Sequence, residues 1–156
     1  FGAPGDRMTR DGTLWLDYPS VGGPSPEVNI EATRSTRYRY QHSVWMRSSG
    51  PRPWVTASMA EGLERFVLQD LKPGKYLLRL YFAEPDELAP KQRLHDIKLQ
   101  GRYVLRDFDI ANEAGGVMRG IAKEFADIDV AHDLTLELAA ANGNTIISGI
   151  ELIRQD

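Results

Sequence analysis

The sequence predicts an all-β fold, an antiparallel β-sandwich, on three observations. From Tyr38 onward the chain breaks into short strand-like runs separated by turn residues. Several of these runs alternate apolar and polar side chains with the period of two that a half-buried strand requires. Helical patterning is scarce by comparison.

Taken in order, the first element is a lead-in over residues 1–35. It is dense in turn formers, among them Gly2, Pro4, Gly5, Gly12, Pro19, Gly22, Gly23, Pro24 and Pro26, around the short apolar stretch Leu14-Trp15-Leu16. Trp15 and Tyr18 are too large and too close together for a free linker, so the lead-in is expected to pack on the rest of the domain. The segment Arg37-Tyr38-Arg39-Tyr40-Gln41-His42-Ser43-Val44-Trp45, read as a strand, puts Tyr38, Tyr40 and His42 on one face and Arg37, Arg39 and Trp45 on the other. After the loop Ser48-Ser49-Gly50-Pro51-Arg52-Pro53, Trp54 leads into the alternating run Val55-Thr56-Ala57-Ser58.

The clearest strand comes after the turn Lys72-Pro73-Gly74. There Tyr76, Leu78, Leu80 and Phe82 form one apolar face, against Leu77, Arg79 and Tyr81 on the other. His95, Ile97 and Leu99 share the inner face of the next run, and Gln100-Gly101 turns it into Tyr103-Val104-Leu105 as a hairpin. The stretch from Ala111 to Ala122 is read as a loop, although Asn112-Glu113-Ala114 has the makings of a helical turn that Gly115-Gly116 would stop. Leu134, Leu136 and Leu138 make another alternating strand, which Asn142-Gly143-Asn144 turns. The closing run, Ile146 to Leu152, has apolar residues on both parities and is expected to be a central strand.

Composition bounds the function. A chain of 156 residues suits a single domain, 1–156, and the beginning Phe1-Gly2-Ala3-Pro4 suggests a piece of a larger protein. With 19 basic and 22 acidic residues, a formal charge of -3 and no basic run, a nucleic-acid surface is disfavoured. No apolar run is long enough for membrane insertion. Cysteine is absent, which removes disulfides and thiolate chemistry. The histidines His42, His95 and His132 have no metal-ligand spacing, so neither a metal nor a cofactor is expected. The sequence contains no phosphate loop, dinucleotide fingerprint or serine elbow. Asp107 and Asp109 flank Phe108 on a presumed strand and would emerge on one side. That is a weak glycosidase signal, which turn capping or an ion pair with Arg106 or Arg119 explains as well.

An ordered set of motifs occupies roughly residues 54–154. It runs Gly74-Lys75-Tyr76, then Leu80-Tyr81-Phe82-Ala83-Glu84, then Arg93-Leu94-His95-Asp96-Ile97-Lys98-Leu99-Gln100-Gly101. Val104-Leu105-Arg106-Asp107-Phe108-Asp109-Ile110, Ala114-Gly115-Gly116 and Ile147-Ser148-Gly149-Ile150-Glu151-Leu152 complete the set. In this order and spacing the chain resembles the malectin family of carbohydrate-binding domains. The phrase Gly12-Thr13-Leu14-Trp15-Leu16-Asp17-Tyr18-Pro19 is similar to the lead-in of such domains behind a quinone-type β-propeller in large exported bacterial proteins. The resemblance implies a jelly-roll sandwich like that of galactose-binding domains, no enzymatic activity, a setting outside the cytoplasm, and a glucan-type oligosaccharide bound by aromatic side chains at one end. Here the loop Pro85-Asp86-Glu87-Leu88-Ala89-Pro90 lacks the tyrosine and phenylalanine that the family presents, His95 replaces a usual phenylalanine and Gln100 a usual asparagine.

A sugar site needs a flat apolar ring beside planar polar groups. The residues of that kind are Tyr38, Tyr40 and His42, with Trp54, then Asp86 and Glu87 in the loop after Glu84, and Asn142 in the last turn. Each has a plainer reading: cross-strand packing for the tyrosines, a core plug for Trp54, a solvated acidic loop for Asp86 and Glu87, and an ordinary turn for Asn142. The expected partner is a glucose-containing oligosaccharide or, should sugar binding have been lost, a neighbouring domain of the parent protein.

Overall fold

The computed structural model describes residues 1–47 and 50–155. Ser48 and Ser49, in the loop before Trp54, lie outside the described residues. The chain opens with β1 (Arg7–Met8), β2 (Leu14–Trp15), β3 (Ile30–Ala32) and β4 (Arg37–Arg39), then a 3-10 turn (Ser43–Trp45) and the one-turn helix α1 (Pro53–Thr56). Next come β5 (Met59–Glu61), β6 (Arg65–Leu68), β7 (Gly74–Phe82), β8 (Leu94–Leu99), β9 (Arg102–Phe108) and the short helix α2 (Ile110–Ala114). β10 (Ile121–Val130), β11 (Leu134–Asn142), β12 (Ile146–Ile147) and β13 (Gly149–Gln155) complete it. Every strand pairing is antiparallel. One layer of the sandwich is the sheet β3-β6-β11-β8-β9; the other is β10-β7-β13, continued by β12-β5-β4, and the lead-in contributes the separate ribbon β1-β2.

The core obeys the alternation read from the sequence. Leu78, Leu80 and Phe82 from β7 meet Ile97 and Leu99 from β8 and Leu136 and Leu138 from β11, all of them buried. A fully buried leucine or phenylalanine contributes about 1.5–3 kcal/mol, so this face is what drives the two layers together. The β8–β9 hairpin forms at Gln100-Gly101 as the turn signal predicts, both residues taking left-handed backbone angles. The chain thus folds as the antiparallel β-sandwich expected from its patterning.

Four expectations are corrected. The strand beginning at Arg37 ends at Arg39: the His42 ring accepts the Val44 N–H and caps a 3-10 turn, so Tyr38, Tyr40 and His42 do not share a strand face. Residues 55–58 do not run as an alternating strand, since Pro53 at the first helical position pre-sets α1 over Pro53–Thr56. The stretch read as a loop after Ala111 holds the last four residues of α2 and the start of β10. β10 escapes the pattern because a bulge between Phe125 and Ile128, with Asp127 left-handed at φ 56°, shifts its parity. Finally, β13 is an edge strand and β7 the central one. The closing run has apolar residues on both parities because it spans two strands: Ile146 and Ile147 of β12 are both buried, and Ile150 and Leu152 of β13 pack on the core, with Gly149 beneath Trp15.

Candidate functional site

Three loops meet at one end of the sandwich, and charge ties them together. The Arg39 guanidinium at the end of β4 grips Asp86 with two parallel bonds of 2.9 and 3.0 Å. Arg93, buried just before β8, donates to Asp86 at 3.2 Å and to buried Glu84. The Arg39 contact, with Arg93 behind it, holds the Asp86 carboxyl below its usual range. Burial pushes Glu84 up, against the opposing pull of the Asp86 N–H and Arg93. The last turn joins the same structure. Asn144 donates to Glu61, which faces Arg39 at 3.6 Å, and the Asn142 amide donates to the Lys91 carbonyl at 2.9 Å. Gly143 (φ +69°) packs so closely that a Cβ there would sit 2.8 Å from the Gln92 carbonyl.

His95 is the buried post under that turn. Its Nε2 donates to the Asn144 carbonyl at 3.0 Å, which leaves Nδ1 as the unprotonated nitrogen. Burial pushes its pKa down to about 4, the Asn144 bond opposing and the nearby Arg93 charge adding to the shift.

The seven residues singled out from sequence fall into different surroundings. Tyr38 packs against the core with its ring 6.0 Å from that of Tyr18, and burial beside Tyr18 pushes its hydroxyl up to about 12. Tyr40 is 55% exposed. Together with His42 and Trp54 it lines a cleft of about 960 Å³ between the lead-in and β13. Trp54 crosses Trp15 edge to face at 5.4 Å, under the Arg7 guanidinium. Asp86 and Asn142 sit in the loop-end network, and Glu87 pairs with Arg47 at 3.0 Å on the surface. Tyr40, His42 and Trp54 are therefore brought to the cleft, and Asp86, Glu87 and Asn142 to the loop end. Tyr40 directly follows Arg39 in the chain, so one segment serves both places.

Two exposed aromatics, Trp45 and Tyr103, lie outside the residues that the sequence singles out, and the first of them stands near the loop end. Trp45, 69% exposed on the 3-10 turn, stands two residues before Arg47 and so beside the loop end. The strand reading had put it on the face away from the tyrosines, and only the turn geometry reveals it. Asp107 and Asp109 do not form a pair on one strand face. Asp107 is left-handed (φ 49°), whereas Asp109 caps α2 by accepting the Asn112 N–H and also receives the Lys91 N–H. Among the described residues no cluster of His, Asp or Glu has the makings of a metal site, and no helix is long and apolar enough to cross a membrane.

Comparison with known proteins sets this geometry in a family. Residues 62–154 match the profile described as Malectin domain, which is more than half of the chain. A probable LRR receptor-like serine/threonine-protein kinase of Arabidopsis thaliana is 32% identical over 157 residues, covering 86% of this chain and 15% of the kinase. A second kinase of that description and organism is 34% identical over 85 residues, 49% of this chain and 8% of its own length. The chain thus spans a small part of these relatives. They are plant proteins, so the bacterial setting implied by the lead-in finds no support in them. Among solved structures, the ANXUR2 extracellular domain from Arabidopsis thaliana superposes with a TM-score of 0.70 at 14% identity, covering 93% of this chain and 43% of that one. A Bacteroides uniformis beta-glucuronidase gives 0.72 at 14% identity, covering 99% of this chain and 18% of the enzyme. At such identity these likenesses speak for the fold alone.

Proposed function

The chain belongs to the malectin domain family, a carbohydrate-binding type of β-sandwich, and from that premise we propose that it is a non-catalytic module that takes a glucose-containing oligosaccharide at its loop end. The observation that supports this best is the exposed ring of Tyr40, one residue beyond the Arg39 that grips Asp86 where three loops converge. An apolar ring and planar polar groups thus follow one another along one segment, the two kinds of surface that a pyranose with its hydroxyls demands. In this reading Tyr40 and His42 contact the ligand from one side, and Glu87, with the rim of Asp86 and Asn142, from the other. Tyr38 and Trp54 act from behind, as packing that fixes the segment. The module comprises one domain, the lead-in 1–35 included, works outside the cytoplasm as part of a larger protein, and needs no cofactor.

A second reading is a domain that docks on its neighbour in the parent chain. The absence of aromatics from Pro85–Pro90 favours it. Protein-observed NMR titration with a panel of glucose disaccharides separates the two readings. Shifts that saturate in the wild type and vanish in a folded Tyr40→Ala variant are expected; a silent panel assigns the domain to docking.

A further inference from the structure

Of the aromatic side chains among the described residues, Trp45 is the most exposed, and Val44 beside it reaches 76%. An indole left in water forfeits the stabilisation that burying it would bring. Elsewhere the fold uses its indoles for packing: Trp15 crosses Trp54 and Tyr81 at 5.4 Å and lies under Arg52. Trp45 touches no other ring and no cation among the described residues. Its backbone is nonetheless firmly tied. The His42 ring accepts the Val44 N–H at 3.2 Å, and the Arg47 N–H reaches the Met118 carbonyl at 2.7 Å. The Met118 N–H in turn reaches the Glu84 carbonyl at 2.7 Å, which fixes the turn to the loop end. Two residues past the indole, Arg47 and Glu87 form a pair with 59% and 76% of their side-chain surfaces exposed, open to exchange partners with a ligand.

We propose that Trp45 is a further stacking surface for the sugar in addition to Tyr40, with Arg47 and Glu87 supplying hydrogen bonds at its edge, and that it takes the interior of an extended glucan chain rather than its end. This rests on the reading of the domain as a sugar-binding module. Trp45 does not line the cleft beneath the lead-in, and the loop Pro85–Pro90, which Glu87 ties to Arg47, contains no aromatic residue. An open platform contacts one face of a pyranose and leaves both directions of the chain free, so nothing in it distinguishes a terminus. A longer chain offers more equivalent registers, so affinity rises with length and ignores the end group.

The test is a calorimetric and NMR titration of the whole chain with cellohexaose, laminarihexaose and maltohexaose, each also in borohydride-reduced form. The variants are Trp45→Ala, Trp45→Phe and Arg47→Gln, with Tyr103→Ala as a control for a distant exposed ring. At least one hexaose is expected to bind, more tightly than its disaccharide and nearly as well when reduced, since reduction opens only the terminal ring. Trp45→Ala should weaken it about tenfold or more, Trp45→Phe less, and Tyr103→Ala not at all. Because Trp45 supports nothing in the core, an unchanged amide spectrum away from residues 40–47 checks the fold of the variant. Binding that Trp45→Ala leaves unweakened overturns the platform while leaving the module reading intact. Loss of binding on reduction overturns the chain-interior assignment, and a wild type silent to every hexaose overturns both the platform and the module reading.

Discussion

The lead-in and the loop end are held to the same sandwich by opposite means. Rings hold the lead-in: Trp15 crosses Trp54 and Tyr81, Tyr18 crosses Phe66 and Tyr38, and Arg7 and Arg52 lie over the two indoles. The loop end is held by ionised and titratable groups, in which Arg39 and Arg93 share Asp86, Glu84 is buried against Arg93, and His95 supports the last turn. Ring contacts are nearly indifferent to pH and salt; buried ion pairs are stable only while every partner is present and correctly protonated. Apart from the buried Phe1 amine, which burial lowers to about 6, the half best insulated from solution conditions is thus the packing half, and the half proposed to meet a ligand is the one that solution conditions can loosen.

The sharpest way to break this contrast is to remove one member of the buried pair. Arg93→Ala leaves Glu84 buried without its cation and frees one side of Asp86, so a loss of about 3–5 kcal/mol is expected in denaturant unfolding. Glu84→Gln in the same background should recover part of the loss, because the stranded charge is gone. A loss below about 1 kcal/mol would mean that the loop end does not depend on this pair.

Acid comes next. His95 titrates near 6.5 when unfolded and near 4 in the fold, so the unfolded chain binds the proton first. Its contribution is complete above pH 6.5 and is lost as the pH falls from there towards 4, amounting to about 3 kcal/mol at 1.36 kcal/mol per unit. His95→Phe, which restores the residue usual in the malectin pattern, should flatten the stability profile over that window. An unchanged slope would show that other groups set the acid response. The lead-in provides the next step down: Trp15→Ala is expected to cost about 2–4 kcal/mol, discounted from a full core truncation because the indole is only half-buried. That cost should be the same at pH 5 and pH 7. A loss that varied with pH would erase the distinction between the two regions.

How far the sequence disclosed this arrangement depended on whether periodicity carried the information. β7, β8 and β11 were legible because Leu78, Leu80, Ile97, Leu99, Leu136 and Leu138 mark one buried face by strict alternation. β10 was not, since the bulge at Asp127 resets its parity, and β13 was misread as central because buried Ile146 and Ile147 of β12 precede it in one apolar run. At the loop end, Asp86 and Asn142 were legible as residue types in the right turns. Their partners Arg39 and Lys91 lie 47 and 51 residues away in sequence, and no local pattern encodes such pairings. Trp45 was hidden for another reason. Its turn is capped by a histidine, outside the Ser, Thr, Asp and Asn set that announces a helix start, so the segment reads as an ordinary strand.

The smallest expected effect is the most discriminating. Trp45→Ala should change stability by less than about 0.5 kcal/mol, because an indole 69% exposed, with no ring or cation against it among the described residues, gives up little packing when truncated. Thermal unfolding of Trp15→Ala and Trp45→Ala side by side then separates two tryptophans that composition cannot tell apart. The first should melt several degrees lower, whereas the second should superpose on the wild type. If Trp45→Ala melts as low as Trp15→Ala, the indole is part of the packing after all, and its exposure ceases to argue for a ligand. If it melts with the wild type, the side chain contributes nothing to the fold that holds it so firmly in place, and binding is the use left for it.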